Sequence, residues 1–162
     1  MGVYPEPLEQ LIISEVESFF RNRFVGNLKF VAAENKRYDD CYSARIAIKS
    51  SNANGFLAVN VSKKTLEECH PERRYGDEIT NEDIEDWVGE IVNRILGNIK
   101  NGLLDFNIET TLNPPECYFA EYTGDPDVKA DKAYFQFATE REEMTFLLQV
   151  AFTDAVSFDK SA

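Results

Sequence analysis

Four residues are spaced so that a helix would place them along one line of its surface. Asp86, Glu90, Asn93 and Gly97 are separated by four, three and four positions, which is the spacing of neighbours on one helical face. Ionised carboxylates only accept hydrogen bonds, whereas the Asn93 carboxamide both donates and accepts them. Such a line can bind a water molecule or another protein, but polar residues on an outer helix face are also ordinary. The spacing alone therefore leaves a purely structural explanation open.

Gly97 is the least expected member of this line. Glycine costs about 0.8–1.0 kcal/mol relative to alanine in a helix interior. On an exposed face, the missing side chain would leave a flat spot beside Asn93, where the backbone of another protein could approach closely. Close packing against the first helix of the same chain would explain Gly97 equally well. Both explanations remain open at the level of the sequence.

The helix that carries these residues is the best-defined element of the chain. Its apolar positions recur at helical spacing and predict a buried stripe: Ile84, Trp87, Val88, Ile91, Ile95 and Ile99. Thr80 is a suitable N-cap, and Asp83 three residues later completes a variant of the capping box. We therefore expect a stable helix over 80–103, with the line of polar residues on its solvent side.

The remaining pattern predicts a second long helix and a sheet. Apolar residues repeat at helical spacing over 7–24, and Ser62 is predicted to cap a short helix over 63–69. Alternating apolar residues predict strands over 28–34, 42–49, 56–62, 107–112, 116–122, 133–139 and 144–153. A turn is predicted over 50–55, and the Asn54-Gly55 dipeptide within it is a signal for a hairpin. The grouping of elements predicts an α+β fold, a single domain over 1–162, in which two long helices cover one face of a mainly antiparallel sheet.

Composition excludes several classes of function. The 162 residues include 17 basic and 29 acidic ones, and the net charge of −12 disfavours binding to nucleic acid or to an anionic membrane. The three cysteines, Cys41, Cys69 and Cys117, are widely spaced, and His70 is the only histidine. This content does not fit a disulfide framework, a zinc ribbon or a histidine-based metal site. Without a signal peptide or a membrane-spanning apolar run, we expect a cytoplasmic protein with no cofactor of its own.

The residues around Asn93 resemble the signature helix of the CheX/CheC chemotaxis phosphatases. The family pattern is Glu-x-x-Asn, followed by Gly four residues after Asn and Lys three residues further on. Glu90, Asn93, Gly97 and Lys100 match it. The resemblance in sequence is confined to 86–104, although the predicted order of elements agrees over most of the chain. It implies a CheC/CheX-like fold and a homodimer joined through sheet edges.

The resemblance also implies an activity, the removal of phosphate from the aspartyl phosphate of a CheY-type response regulator. Asn93 would enter the acidic pocket of the partner and orient the attacking water, and Glu90 would pair with the active-site lysine of the partner. Asp86 and Gly97 would contact the partner. The Mg²⁺ ion would belong to the response regulator rather than to this chain.

The family pattern occurs once in this chain. Some members carry a second copy on the first helix, but here Glu15 is followed three residues later by Ser18. The resemblance therefore implies one site per chain.

Two alternative functions remain open. One is a non-catalytic, CheC-like binding module for a response regulator or a component of the flagellar switch. The other is an unrelated α+β domain in which the motif occurs by chance. Burial of Glu90 and Asn93 under another part of the chain would favour the second alternative.

Overall fold

The computed structural model describes residues 2–76, 78–111, 113–153 and 156–158. Its α-helices are α1 (Glu6–Phe19), α2 (Lys63–Glu68) and α3 (Asn81–Leu104). Its strands are β1 (Lys29–Ala32), β2 (Cys41–Lys49), β3 (Ala53–Ser62), β4 (Glu116–Tyr118), β5 (Lys132–Ala138) and β6 (Glu143–Phe152). The strands form one six-stranded sheet in the order β1-β5-β6-β3-β2-β4, and every pairing is antiparallel. The predicted α+β fold with an antiparallel sheet is confirmed.

The two long helices pack on one face of this sheet and form the main core with it. Their buried residues include Leu8, Ile12 and Val16 of α1 and Ile84, Val88, Ile91, Ile95 and Ile99 of α3. The sheet contributes alternate residues such as Ile46, Leu57 and Phe146 to the same core. Because the helices bury their apolar stripes here, the opposite side of α3 is left at the surface.

A loop over 119–131 shields the other face of the sheet. Asn60 on β3 pairs with Tyr122 of this loop, donating to its carbonyl at 2.8 Å and accepting from its amide at 2.7 Å. Gln149 on β6 pairs with Asp125 in the same way, donating to its carbonyl at 3.1 Å and accepting from its amide at 2.8 Å. Both side chains are almost completely buried. Buried amides paired in this way hold the loop in one position.

The predicted start of α3 is confirmed in detail. Thr80 Oγ1 accepts a hydrogen bond from the Asp83 amide at 3.1 Å, and Asp83 Oδ2 accepts one from the Thr80 amide at 2.9 Å. These reciprocal bonds are the capping box. The bond from the Thr80 amide also holds the pKa of the Asp83 carboxyl below its ordinary value.

Replacing Thr80 by alanine should lower the free energy of unfolding by about 1 kcal/mol, because α3 loses a hydroxyl acceptor at its first turn. Urea denaturation followed by circular dichroism measures the change. Thr80→Ser keeps the hydroxyl and serves as the matched control. Folding depresses the pKa of Asp83. The stability contributed by the hydrogen bond from the Thr80 amide to the Asp83 carboxylate is therefore lost as the pH falls through that folded pKa. Equal stability of the alanine and serine variants would contradict the capping role.

The turn predicted over 50–55 is present, but the Asn54-Gly55 dipeptide is not part of it. The turn lies earlier, where the Ser50 amide donates to the Ala53 carbonyl at 3.0 Å, and Gly55 is inside β3 opposite Val150. A Cβ atom on Gly55 would overlap the carbonyl oxygen of Gln149 and lie 2.6 Å from Val150 Cα. Gly55 therefore permits the close approach of β3 and β6 rather than a turn.

The structure also corrects several predicted boundaries. Helix α1 ends at Phe19 instead of residue 24, and Asn22 follows it in the left-handed region with φ of 66°. Asn107, with φ of 63°, follows α3, and left-handed residues are frequent after a helix end. The described residues 107–111 of the predicted strand 107–112 form no strand, and residue 112 lies outside the described part of the chain. The predicted strand 116–122 is shortened to β4 because the loop begins there.

Candidate functional site

The predicted line of residues lies at the surface of α3. Asp86 is exposed, whereas Glu90, Asn93 and Gly97 are half-buried. Each is one helical turn from the next, on the side away from the buried stripe. Gly102, near the end of the same helix, faces α1, because a Cβ atom on it would lie 2.8 Å from Leu11 Cδ1.

A depression of about 470 Å³ runs along one side of this line, between α3 and β4. We call it the β4 groove, and its lining residues are Asp86, Gly89, Glu90, Asn93, Pro115 and Cys117. Among the residues that the structure describes, none forms a hydrogen bond with the Asn93 carboxamide. The amide is therefore free to bind a group that enters the groove from outside.

Gly89 sets the distance between α3 and the other side of the groove. A Cβ atom on this buried glycine would lie 2.9 Å from Cys117 Sγ and 3.2 Å from Pro115 Cγ. The helical pattern points to Gly97 as the unexpected glycine of α3 and not to Gly89. A glycine next to Val88, within the apolar stripe of a helix, is the signal that could have indicated this close contact.

A second depression, of about 330 Å³, lies on the other side of the line and includes His70, Trp87 and Arg94. The His70 ring packs edge-on against Trp87 with ring centroids 5.8 Å apart, and its Nδ1 accepts from the Glu72 amide at 3.1 Å. Trp87 is 4% exposed, as expected for a core residue. Asp86 and Glu90 line both depressions and form the ridge between them.

Glu90 is held by a weak interaction within its own helix. Arg94 Nε donates to Glu90 Oε1 at 2.6 Å, and the two side chains are 51% and 44% exposed. An exposed ion pair of this spacing contributes only about 0.3–0.5 kcal/mol. Glu90 can therefore exchange Arg94 for a cation on another protein at little cost.

The cysteine thiols of this chain stay protonated at neutral pH. Burial raises the pKa of the Cys117 thiol, and the charges of Glu85 and Asp86 raise it further. Burial raises the pKa of Cys41 to about 11 and that of Cys69 to about 12. Because the thiolate is the nucleophilic form, the geometry does not favour thiol chemistry at this site.

Within the described ranges, no group of three or more histidine, cysteine, aspartate or glutamate side chains is arranged to hold a metal ion. No helix within these ranges is both long and apolar enough to span a membrane. The groups that the groove offers are an unpaired carboxamide and two carboxylates. They can orient a water molecule and bind a cation of a partner.

Comparison with known proteins identifies the family and the fold of this chain. Residues 42–135, more than half of the chain, match the family model described as chemotaxis phosphatase CheX. The matched segment includes α3, β4 and the whole lining of the β4 groove. No curated protein sequence matches the chain significantly.

Solved structures with the same fold are found at low sequence identity. Chemotaxis protein CheX from Vibrio vulnificus superposes with a TM-score of 0.72 at 13% identity, over 90% of this chain and 97% of that one. A CheC-like superfamily protein from Shewanella sp. PV-4 gives 0.71 at 16% identity, over 93% and 99%. A chain from the CheX-CheY-BeF3-Mg²⁺ complex of Borrelia burgdorferi gives 0.67 at 14% identity, over 88% and 97%. These similarities show a shared fold.

Proposed function

This chain belongs to the CheX family of chemotaxis phosphatases, and on that premise we propose that it dephosphorylates a phosphorylated CheY-type response regulator. The observation that carries the proposal is the Asn93 carboxamide, which lines an open groove without a partner among the described residues. The complex of CheX with CheY from Borrelia burgdorferi supports a response regulator as the partner.

The chemistry requires little more than a well-placed amide. Water attacks the phosphorus atom in line with the bond to the aspartyl oxygen, that bond breaks, and the partner regains its carboxylate as inorganic phosphate leaves. The transition state is loose, so positioning the water matters more than deprotonating it. Asn93 would hold the water with its carbonyl oxygen and direct its NH₂ group towards the phosphoryl oxygens.

Glu90 would set the position of the partner. It lies one turn before Asn93 on the same ridge, and it can release Arg94 and bind the active-site lysine of the response regulator. Asp86 lines both depressions and would contact the partner beside this lysine. Gly97, one turn beyond Asn93, would leave room for the backbone of the partner.

The remaining components would come from the partner or from a second copy of the chain. We propose that the Mg²⁺ ion is held by the response regulator and that the protein acts in the cytoplasm, where such regulators occur. Homodimerisation through sheet edges stays a prediction from the family. The two edge strands of the sheet are β1 and β4.

A phosphate-release assay with several phosphorylated receiver domains tests the proposal. The protein should accelerate the loss of phosphate from at least one of them beyond its spontaneous rate. If a receiver domain binds but keeps its phosphate at the spontaneous rate, the non-catalytic binding module becomes the better interpretation.

Replacing Glu90 by glutamine should raise KM for the phosphorylated receiver about tenfold and change kcat little. The reason is the loss of one charge-assisted hydrogen bond, which contributes about 1.5–3 kcal/mol. Glu82→Gln is the matched control, because Glu82 is exposed on the same helix outside the groove. Equal effects of the two substitutions would show that only net charge matters and would contradict the specific role of Glu90.

A further inference from the structure

The residues of β4 alternate between the two faces of the sheet. Cys117 pairs with Ala44, which is fully buried under the helices, whereas Glu116 pairs with Arg45 on the opposite face. Phe119, two residues after Cys117, stacks on Tyr42 with ring centroids 4.6 Å apart and an interplanar angle of 7°. Because Tyr42 belongs to the core under the helices, Phe119 lies on the same face as Cys117.

Three apolar residues on this face therefore follow the outer side of the β4 groove. Pro115 and Cys117 line the groove itself, and Phe119 continues the row beyond it. The Phe119 side chain is 62% exposed, although the Tyr42 ring beneath it is 2% exposed. We call this row, Pro115, Cys117 and Phe119, the β4 wall. Large apolar side chains grouped at the surface are typical of protein interaction sites.

The side of the groove that faces the β4 wall is polar and acidic. It carries Asp86, Glu90 and Asn93 on α3. Since Pro115 and Cys117 line the same depression, a protein that fills the groove at Asn93 would contact them. The groove thus fits a surface on which a cationic side chain, suited to Glu90, lies next to an apolar one.

Contacts on the face of the sheet opposite the helices hold the β4 wall in position. Arg45 on β2 forms ion pairs with Glu116 at 3.2 Å and with Asp125, which belongs to the loop over 119–131, at 3.1 Å. Its guanidinium group also lies 4.0 Å from the ring centroid of Phe56. On the groove side, Cys117 rests against the backbone of Gly89. A wall fixed before binding loses little conformational freedom when a partner docks.

We propose that the β4 wall is the apolar half of the docking surface for the receiver domain, and that it helps to select which receiver domain is dephosphorylated. The receiver would place an apolar side chain against Cys117 and Phe119 while its lysine pairs with Glu90. This inference rests on the proposed function and adds a second surface to it.

Two adjacent aromatic residues allow a matched test in the intact protein. Phe119→Ser should raise KM for the phosphorylated receiver about tenfold, with kcat little changed, because the receiver loses the apolar contact with the Phe119 ring. Tyr118→Ser should leave KM unchanged, since Tyr118 lies on the opposite face of β4, where its hydroxyl donates to Glu116 at 2.9 Å.

Thiol labelling provides a second measurement that does not depend on a substitution in the wall. Cys117 is exposed, whereas Cys41 and Cys69 are buried, so N-ethylmaleimide should modify Cys117 first. A receiver domain loaded with beryllofluoride, at about ten times its dissociation constant, should slow this modification about tenfold by occupying the groove. The control is the introduced thiol of Val31→Cys in the otherwise unchanged protein, distinguished from Cys117 by peptide mapping, because Val31 is exposed on β1 at the other edge of the sheet. Its labelling should not change when the receiver is added.

The outcomes separate the two proposals. If the receiver is dephosphorylated while Phe119→Ser and Tyr118→Ser behave alike and the receiver does not protect Cys117, the β4 wall has no docking role and the phosphatase activity stands. If no receiver domain is bound or dephosphorylated, the proposed function fails and the inference fails with it.

Discussion

Replacing Asn93 by alanine should reduce the accelerated loss of phosphate at saturating receiver domain by about 100-fold or more, equivalent to about 2.7 kcal/mol of transition-state stabilisation. The carboxamide is the group in the β4 groove that both donates and accepts hydrogen bonds, and it has no partner among the described residues that it would leave unpaired. Its loss removes the orientation of the water without disturbing the fold. Phosphate release and the affinity for a beryllofluoride-loaded receiver, measured side by side, give the comparison.

The affinity of Asn93→Ala for the receiver should stay close to that of the unmodified protein, because Glu90 and the β4 wall remain. Asn98→Ala is the matched control, since Asn98 is exposed on the same helix and does not line the groove. Full acceleration by Asn93→Ala would show that the role assigned to this residue is wrong. A parallel loss of affinity and rate would make Asn93 a docking residue instead.

Replacing Gly55 by alanine should lower the free energy of unfolding by about 3 kcal/mol or more, at the upper end of the cost of overpacking. The added methyl group would overlap the Gln149 carbonyl oxygen and approach Val150 Cα, and both atoms belong to the backbone of β6. Backbone in the centre of a sheet cannot move aside without breaking the pairing of β3 with β6. Chemical denaturation gives the change in stability.

The neighbouring residue supplies the control for Gly55→Ala. Asn54 is exposed in the same strand, and Asn54→Ala should change stability by no more than about 0.5 kcal/mol. A Gly55→Ala protein as stable as Asn54→Ala would mean that β3 and β6 are not as close as the structure has them.

Sequence patterns predicted the elements whose causes are local. The capping box of α3 depends on Thr80 and Asp83, three residues apart, and the polar line depends on a helical repeat within twelve residues. Both could be read from the chain because every residue involved lies within a few helical turns. The same holds for the strands β5 and β6, where apolar residues recur at alternate positions within a few residues of one another, as Phe135 and Phe137 do in β5 and Met144, Phe146 and Leu148 in β6.

Features that depend on distant residues could not be predicted in this way. Asn54-Gly55 has the composition of a turn, but the reason for the glycine is Gln149, more than ninety positions later. Gly89 is explained by Pro115 and Cys117, which reach α3 only because β4 pairs with β2. Asn93 could therefore be identified from the sequence, whereas the groove around it could be identified only from the fold.

The amide pairs that hold the loop over 119–131 tie the unfolding of this loop to that of the sheet. The backbone groups of Tyr122 and Asp125 are hydrogen-bonded to side chains rooted in the central strands β3 and β6. Freeing this segment would break the buried hydrogen bonds of Asn60 and Gln149, at a cost of about 0.5–1.5 kcal/mol for each bond, and would expose Ala58 and Leu147, which pack against Tyr122. An irregular stretch of chain thus melts together with the sheet as one cooperative unit.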